Sequence, residues 1–153
     1  MDLIIWRHAE AEEERDGLDD LERALTSRGE KQAVRVAGWL DRNLPEGTRI
    51  LSSPARRCEQ TALALGRKYK IREELAPGAT PDDVLRAAQW PSAKHAVLVV
   101  GHQPVLGETL AQLLRIEGGS VAIRKGAVWW LRTRERDGLE QTLLWAVQGA
   151  ETA

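Results

Sequence analysis

The apolar positions of this chain fall either into short continuous runs or into stretches with helical spacing. The runs at 3–6 and 95–101 are nearly continuous, which is typical of strands buried on both faces of a sheet. Residues 49–52 form another candidate strand, and residues 71–75 form a short one. The pattern therefore predicts four strands that are separated by more polar segments.

Helical spacing fills the segments between these strands. Ser27 and Glu30 have the spacing of a capping box, while Ser53-Pro54 and Thr80-Pro81 combine a capping residue with a proline at the first helical position. A fourth helix follows Pro104. The apolar positions of the four helices are Ala33, Val36, Ala37, Leu40 and Leu44; then Cys58, Ala62, Leu65 and Tyr69; then Val84, Leu85 and Ala88, up to about Trp90; and finally Leu106, Leu110, Leu113 and Leu114.

Two further β-rich runs, 127–131 and 142–147, flank a polar turn and predict a hairpin at an edge of the sheet. Trp129 and Trp130 point to opposite faces of that strand, so we expect one in the core and the other exposed or at an interface. Strands that alternate with helices predict an α/β fold, a three-layer sandwich in which helices flank a mainly parallel central sheet. We expect one domain over residues 1–153.

Composition and charge narrow the classes of function. The chain is 42% hydrophobic and 29% charged, as globular proteins are, and its net charge is −1. Because no excess of positive charge attracts nucleic acid or an anionic membrane, we expect neither as a partner. The single Cys58 excludes an internal disulfide and argues against a structural zinc site. The first residues do not resemble a secretory signal, and we expect a cytoplasmic protein.

Polar residues follow three of the predicted strands. Arg7-His8 ends the first strand, residues 53–57 follow the second, and Gly101-His102 ends the most hydrophobic one. Because the carboxyl ends of parallel strands meet at one edge of the sheet, we expect these side chains to converge. Two imidazoles and at least one guanidinium indicate an anion site, and phosphate is the natural candidate because its oxygens match the donors of arginine.

The same residues predict a chemistry that needs no metal or other cofactor. An imidazole can be neutral at pH 7 and supplies a nitrogen nucleophile. In this hypothesis His8 attacks phosphorus with one ring nitrogen, while its other nitrogen donates a hydrogen bond that fixes the tautomer. Arg7, Arg57 and His102 stabilise the transferring group. His95 begins a strand, and we expect it to be structural or solvated rather than catalytic.

Four short motifs follow one another along the chain. They are Arg7-His8-Ala9-Glu10 after a strand; Arg23-Ala24-Leu25-Thr26 with Gly29; Ser53-Pro54 with Arg57 and Gln60-Thr61; and Gly101-His102 with Pro104. Together, and in this order, they resemble the motifs of the histidine phosphatase (phosphoglycerate mutase-like) superfamily. The short length of the chain and its Gly-His-x-Pro form are most similar to the SixA-type phosphohistidine phosphatase branch.

The resemblance implies a phosphoglycerate mutase-like fold and a phosphatase that passes through a phosphohistidine on His8. The family spacing selects Arg57 over Arg56, and only one of two helical neighbours can point into the pocket. Ala9 stands where the superfamily usually has glycine, and alanine is small enough for the turn to survive. The substrate hypotheses are phosphohistidine on a protein first and a small phosphate ester, such as a sugar phosphate or nucleotide, second. A noncatalytic phosphate-binding module is the third, and the oligomeric state stays open.

The proton donor for the leaving group is also open. Larger members of the superfamily carry an acidic residue on an insertion, and the candidates here are Asp82, Asp83, Glu10 and Glu22. The two aspartates equally suit the first turn of a helix, and residues 9–23, with eight acidic side chains, suit a solvated loop. A phosphoramidate leaves more easily than an alkoxide, so a missing acid favours phosphohistidine as the substrate.

Overall fold

Six strands form one sheet in the order β3-β2-β4-β1-β5-β6. The computed structural model describes residues 1–153. In chain order the elements are β1 (Asp2–Arg7), α1 (Ser27–Asn43), β2 (Arg49–Ser52), α2 (Arg56–Leu63), β3 (Lys70–Ile71), α3 (Pro81–Ala87), β4 (Val97–Gly101), α4 (Val105–Leu114), β5 (Val128–Arg136) and β6 (Leu139–Gln148), with 3₁₀ turns at Asp20–Glu22 and Glu73–Leu75.

The sheet is mainly parallel and has helices on both faces, which confirms the predicted α/β sandwich. Strands β3, β2, β4 and β1 run parallel, and β5 and β6 add an antiparallel hairpin, with β6 at the edge as predicted. One face packs on the apolar sides of α1 and α2, and the other on α3 and α4. No helix combines the length and the apolar composition that a bilayer span requires.

Strand β1 lies in the middle of the sheet, and both of its faces are buried. Ile4 and Trp6 point to the layer of α1 and α2, while Leu3 and Ile5 point to the opposite layer. All four side chains are fully buried, and each contributes roughly 1.5–3 kcal/mol to folding. This anchoring explains the continuous apolar run in the sequence and fixes the end of β1, where Arg7 and His8 follow.

Two predicted helix starts are wrong, one by one residue and the other by two. Helix α1 is capped by Thr26, whose hydroxyl accepts from the N–H of Gly29, so Ser27 is the first helical residue and not the cap. Helix α2 begins at Arg56 after Ala55, without a side-chain cap. Ser53 cannot cap it as predicted because this residue lies in the loop after β2, where its hydroxyl accepts from Ala55 N–H and bonds a histidine.

Three predicted element ends also differ from the structure. Helix α2 ends at Leu63, and Gly66 takes a positive φ three residues later. Leu65 and Tyr69 therefore lie beyond the helix, although both still pack on the same core layer. The predicted strand 71–75 is reduced to β3 and a 3₁₀ turn that buries Leu75. Helix α3 ends at Ala87 rather than near Trp90, because the chain turns through a positive φ at Gln89.

The two consecutive tryptophans of β5 both contribute to packing. Trp130 is buried and meets Trp39 of α1 edge to face, with ring centroids 6.1 Å apart. Trp129 is half-buried and packs on the opposite layer. The two side chains therefore point to opposite faces, as expected. Trp129 covers the layer of α3 and α4 instead of being fully exposed.

The start of α1 supports the loop that follows β1. Thr26 donates its backbone N–H to the carbonyl of Glu10 at 3.0 Å and its hydroxyl to the Glu10 carboxylate at 2.8 Å. Gly29 lies so close to this loop that a Cβ would overlap the carbonyl oxygen of Glu10. The motif from Arg23 to Gly29 thus positions the backbone immediately after His8.

Replacing Gly29 with alanine should therefore destabilise the fold and distort the loop after His8. We expect a loss of about 1–3 kcal/mol in the free energy of unfolding, because the obstacle is backbone and cannot rotate away. Urea denaturation followed by circular dichroism measures it. Gly38→Ala, in the same helix, is the control: its Cβ meets only the end of the Arg42 side chain, and we expect a gain of roughly 0.5–1 kcal/mol. An equal change in the free energy of unfolding in both variants would contradict the close approach of Gly29 to the backbone of Glu10.

Candidate active site

A polar cavity of about 270 Å³ lies at the carboxyl ends of the parallel strands. Arg7 of β1 is opposite Gly101 of β4, so the residues that follow them, His8 and His102, emerge side by side, with ring centroids 5.4 Å apart. The structure brings together all four residues that the sequence selected. The lining consists of Arg7, His8, Ala11, Glu13, Glu14, Asp20, Arg23, Arg57, Pro77, His102, Gln103 and Lys125.

The tautomer of His8 is set by its own loop. Its Nδ1 lies 2.7 Å from the carbonyl oxygen of Ala9, and because a carbonyl only accepts, Nδ1 carries the proton in the neutral ring. The backbone is held as well: His8 N–H donates to Gly101, and Ala9 N–H donates to the hydroxyl of Thr61. The lone pair of the ring is therefore on Nε2. Ala9 is fully buried, so a methyl group fits where the superfamily usually has glycine.

Both histidines are neutral at pH 7 in this environment. Burial, opposed by the bond to Ala9 and reinforced by the charges of Arg57 and Arg7, lowers the pKa of His8 to about 4. Burial, reinforced by the neighbouring His8 ring and Arg57, lowers the pKa of His102 to about 3. A neutral His8 keeps its Nε2 lone pair available for nucleophilic attack over the physiological pH range.

These pKa values make a prediction for the stability of the protein. In the unfolded chain both rings protonate near pH 6.5, whereas in the folded protein they protonate only near 4 and 3. Below pH 6.5 the unfolded chain thus binds more protons, and stability falls as the pH decreases. We expect each histidine to remove up to about 2 kcal/mol between pH 6.5 and 5.

Urea denaturation at pH 7.5, 6 and 5 measures this loss of stability. In His102→Gln, the free energy of unfolding should depend less steeply on pH than in the wild type. A free energy of unfolding that is constant from pH 7.5 to 5 would contradict burial of neutral rings.

The guanidinium groups of the half-buried Arg7 and the buried Arg57 form the positive part of the cavity. Arg7 donates from Nη1 to the carbonyl of Ile123 at 2.7 Å. Arg57, only 3% exposed, donates from Nη1 to the carbonyl of Asp20 and from Nη2 to its carboxylate, at 2.7 and 3.2 Å. The Nε atoms of both arginines are buried without a protein acceptor. Since a buried donor without a partner costs about 1–3 kcal/mol, both groups are suited to an anion that accepts from them.

Asp20 is a site residue that the sequence did not reveal. We expected residues 9–23 to be a solvated loop, but the 3₁₀ turn at Asp20–Glu22 folds onto Arg57, and Arg23 also donates to the Asp20 carboxylate at 2.9 Å. Burial raises the pKa of this carboxyl, but the hydrogen bond from Arg23 and the charge of Arg57 outweigh it, so the pKa lies below its ordinary value. Asp20 is thus ionised near neutral pH and orients Arg57.

Arg23 and Lys125 bring the cationic side chains of the lining to four, against three acidic ones. Arg23 belonged to a recognised motif, but no local signal identified Lys125 or Gln103. Glu13, Glu14 and Lys125 are exposed, whereas the guanidinium of Arg57 lies inside. The cavity therefore has a cationic interior and a rim that carries charges of both signs.

The acids proposed from the sequence as proton donors do not line the cavity. Asp83 completes a capping box with Thr80 at the start of α3, with Asp82 beside it in the same first turn. Glu10 accepts from the Thr26 hydroxyl, and Glu22 is exposed. The two aspartates thus serve the start of α3, and neither glutamate lines the cavity. The acidic residues that do line the cavity are Glu13, Glu14 and Asp20.

The remaining candidates lie outside the cavity. His95 and Arg56 are exposed, in contrast to His102 and Arg57. Cys58 is fully buried, and burial raises the pKa of its thiol to about 12, as suits a small apolar side chain, although its Sγ also contacts His102 at 3.4 Å. No three His, Cys, Asp or Glu side chains are grouped in the manner of metal ligands.

Comparison with known proteins agrees with this geometry. A sequence model of the histidine phosphatase superfamily (branch 1) matches residues 3–78. The phosphohistidine phosphatase SixA of Escherichia coli is 32% identical over 121 residues, which cover 74% of each chain. An uncharacterized protein of Mycobacterium tuberculosis H37Rv is 34% identical over 113 residues, 71% of this chain and 70% of its own.

The fold has a counterpart among solved structures. The protein histidine phosphatase SixA complexed with tungstate superimposes with a TM-score of 0.74 and 22% identity, over 98% of this chain and 97% of that one. At this identity the likeness concerns the fold, and the sequence relatives carry the family assignment. With the four motifs gathered around one cavity, the chain belongs to the histidine phosphatase superfamily, in its SixA-type branch.

Proposed function

We propose that this phosphatase removes phosphate from phosphohistidine on a protein, without a metal ion, and that His8 is the nucleophile. The observation that carries the proposal is the fixed His8 ring, with its proton on Nδ1 and its lone pair on Nε2, in a cavity shared with Arg7, Arg57 and His102. The SixA relative is named for activity on phosphohistidine, and a SixA structure is complexed with tungstate, an oxyanion.

The reaction has two steps. In the first, His8 Nε2 attacks phosphorus, a P–N bond to His8 forms, and the P–N bond to the substrate histidine breaks as its ring takes up a proton. Arg7 and Arg57 stabilise the equatorial oxygens as their charge redistributes. In the second step, water attacks phosphorus, the bond to His8 breaks, and inorganic phosphate leaves.

The size and the charge of the cavity favour a phosphoryl group presented by a protein. About 270 Å³ is below the range of roughly 300–1,000 Å³ that is usual for small-molecule sites, and the lining offers few apolar contacts for a ligand. The exposed lining residues Glu13, Glu14 and Lys125 give the rim no excess of positive charge that would attract free anionic esters. A phosphohistidine on a protein surface brings its single phosphoryl group past this rim by means of contacts made elsewhere.

The leaving group points to the same substrate. Of the three acids that line the cavity, Asp20 is held ionised by Arg23 and Arg57, so it is a poor proton donor at neutral pH. The other two, Glu13 and Glu14, are exposed, and no contact holds them in a donor position inside the cavity. An ester leaves as an alkoxide unless an acid protonates it, and a positioned acid typically contributes about 10²–10⁴-fold. The imidazole of phosphohistidine takes its proton from water more readily.

A comparison of substrates tests the proposal. The purified enzyme is given a histidine-containing protein phosphorylated with phosphoramidate, a sugar phosphate and a nucleotide, and kcat/KM is measured for each. We expect the phosphohistidine protein to exceed both esters by at least about 10²-fold. Equal or faster turnover of an ester would identify a small-ester phosphatase, and phosphate binding without turnover of any substrate would identify a noncatalytic module; either result overturns the proposal.

A further inference from the structure

His102 is hydrogen-bonded to the buried hydroxyl of Ser53, which has no part in the reaction described above. Ser53 lies in the loop between β2 and α2 and is fully buried. Its Oγ is 2.7 Å from Nε2 of His102 and accepts the backbone N–H of Ala55 at 3.2 Å. The sulfur of Cys58 lies 3.4 Å from the same Nε2. Ser53 therefore fixes the side of the ring that faces the protein.

The direction of the Ser53–His102 bond follows from the other side of the ring. Arg57 Nη2 lies 3.4 Å from Nδ1 of His102, and a guanidinium only donates. If Ser53 donated to Nε2, the ring proton would be on Nδ1, and two N–H groups would face each other. With the proton on Nε2, the Ser53 oxygen accepts from the ring, and the Nδ1 lone pair faces the Arg57 donor. Every contact around the ring is then satisfied.

We propose that Ser53 is a positioning residue that keeps the proton of His102 on Nε2, so that Nδ1 is the atom that meets the phosphoryl group. This inference rests on the phosphatase function proposed above. When an anion enters, its oxygens repel the Nδ1 lone pair, and His102 takes up a proton from water on Nδ1. The resulting imidazolium has an acceptor for each N–H: Ser53 Oγ on one side and a phosphoryl oxygen on the other.

The role of acceptor requires the hydroxyl of Ser53. Without this oxygen, the Nε2–H of the imidazolium would face only the sulfur of Cys58, which is a weak acceptor. A hydrogen bond to a charged group contributes about 1.5–3 kcal/mol, so its loss weakens the phosphate-bound state by roughly 10- to 100-fold. Because that state contains the added proton, the pH dependence of binding must change along with the affinity.

The experiment measures the binding of inorganic phosphate to the whole protein by calorimetry between pH 5.5 and 8.5. Four proteins are compared: the wild type, Ser53→Ala, Ser53→Thr and Ser52→Ala. Ser52 is the matched control because it is equally buried and adjacent, but its hydroxyl donates to the Ser53 carbonyl and does not touch His102. The titration of phosphate itself is common to all four, so differences in the pH profile report on the protein.

We expect phosphate to bind Ser53→Ala 10- to 100-fold more weakly than the wild type, with less proton uptake on binding. Ser53→Thr should restore both quantities, and Ser52→Ala should match the wild type. A purely structural role would lower the stability of Ser53→Ala without changing the number of protons taken up. Wild-type affinity and pH profile in Ser53→Ala would overturn the proposal.

A spectroscopic measurement needs no variant and no activity. Long-range proton–nitrogen correlation spectra of the ¹⁵N-labelled wild type should show His102 with its proton on Nε2 without phosphate, and protonated on both nitrogens with phosphate. A proton on Nδ1 in the phosphate-free protein would overturn the proposal. If the spectra agree but phosphohistidine protein is not turned over, the proposed function fails while the role of Ser53 in binding phosphate stands.

Discussion

Replacing His8 with alanine should reduce kcat on a phosphohistidine protein by on the order of 10⁴-fold or more, the largest effect that we expect from any single substitution. The ring supplies the only lone pair that the loop after β1 fixes inside the cavity, through the bond from Nδ1 to Ala9. Alanine leaves Arg7, Arg57 and His102 in place to bind phosphate, but no atom remains to form the covalent intermediate.

Rapid quenching with a ³²P-labelled substrate measures this effect directly. The wild type should carry a label that is stable in alkali and lost in acid, as a phosphohistidine is, and His8→Ala should carry none. His95→Ala is the matched control, because His95 is the one histidine outside the cavity and is exposed. A His8→Ala enzyme with normal turnover would show that the nucleophile is another group.

The sequence predicted those parts of the fold that local patterns encode. The continuous apolar run of β1 marks a strand with two buried faces, and its end placed Arg7 and His8 at the sheet edge. The strand ends at 52 and 101 followed from the same pattern. Because parallel strands present their carboxyl ends on one side, three local predictions were sufficient to bring Arg7, His8, Arg57 and His102 together.

Contacts between distant segments were beyond this reasoning. Asp20 belongs to an acidic stretch whose composition indicates a solvated loop, and only the folded chain brings its carbonyl and carboxylate to Arg57. Lys125 reaches the cavity from the loop before β5, without a local signal. The predicted cap of α2 failed for a related reason, since the hydroxyl of Ser53 is bonded to His102 instead. The predicted Thr80 cap of α3, which depends on local residues alone, is confirmed.

Thr26 and Ser27 show how a tertiary contact decides between two equivalent local signals. Either hydroxyl can cap a helix, and the capping-box spacing favoured Ser27. The folded chain selects Thr26 because its backbone N–H and its hydroxyl both bond Glu10, and Gly29 then packs against that residue. The cap of α1 is thus fixed by the same contact that positions the loop after His8.

Replacing Arg57 with alanine should lower kcat/KM on a phosphohistidine protein by about 10²–10³-fold, the second-largest effect that we expect. Its guanidinium is almost fully buried and is held by the carbonyl and the carboxylate of Asp20, so its donors are oriented before substrate arrives. Such preorganised groups stabilise charge in the transition state without reorganising. The loss should therefore appear in kcat as well as in KM.

Two further variants separate the charge of Arg57 from its geometry. Arg57→Lys keeps the charge but presents a single ammonium group instead of a planar guanidinium. The ammonium group cannot make both bonds to Asp20 and still reach phosphate. We therefore expect kcat/KM of Arg57→Lys to exceed that of Arg57→Ala by at most about tenfold. Arg56→Ala removes the exposed neighbour and should retain wild-type kinetics. Steady-state kinetics give kcat and KM for each variant, and thermal unfolding checks that each variant is folded. An Arg57→Ala enzyme as active as Arg56→Ala would mean that other residues of the cavity hold the phosphoryl group without Arg57.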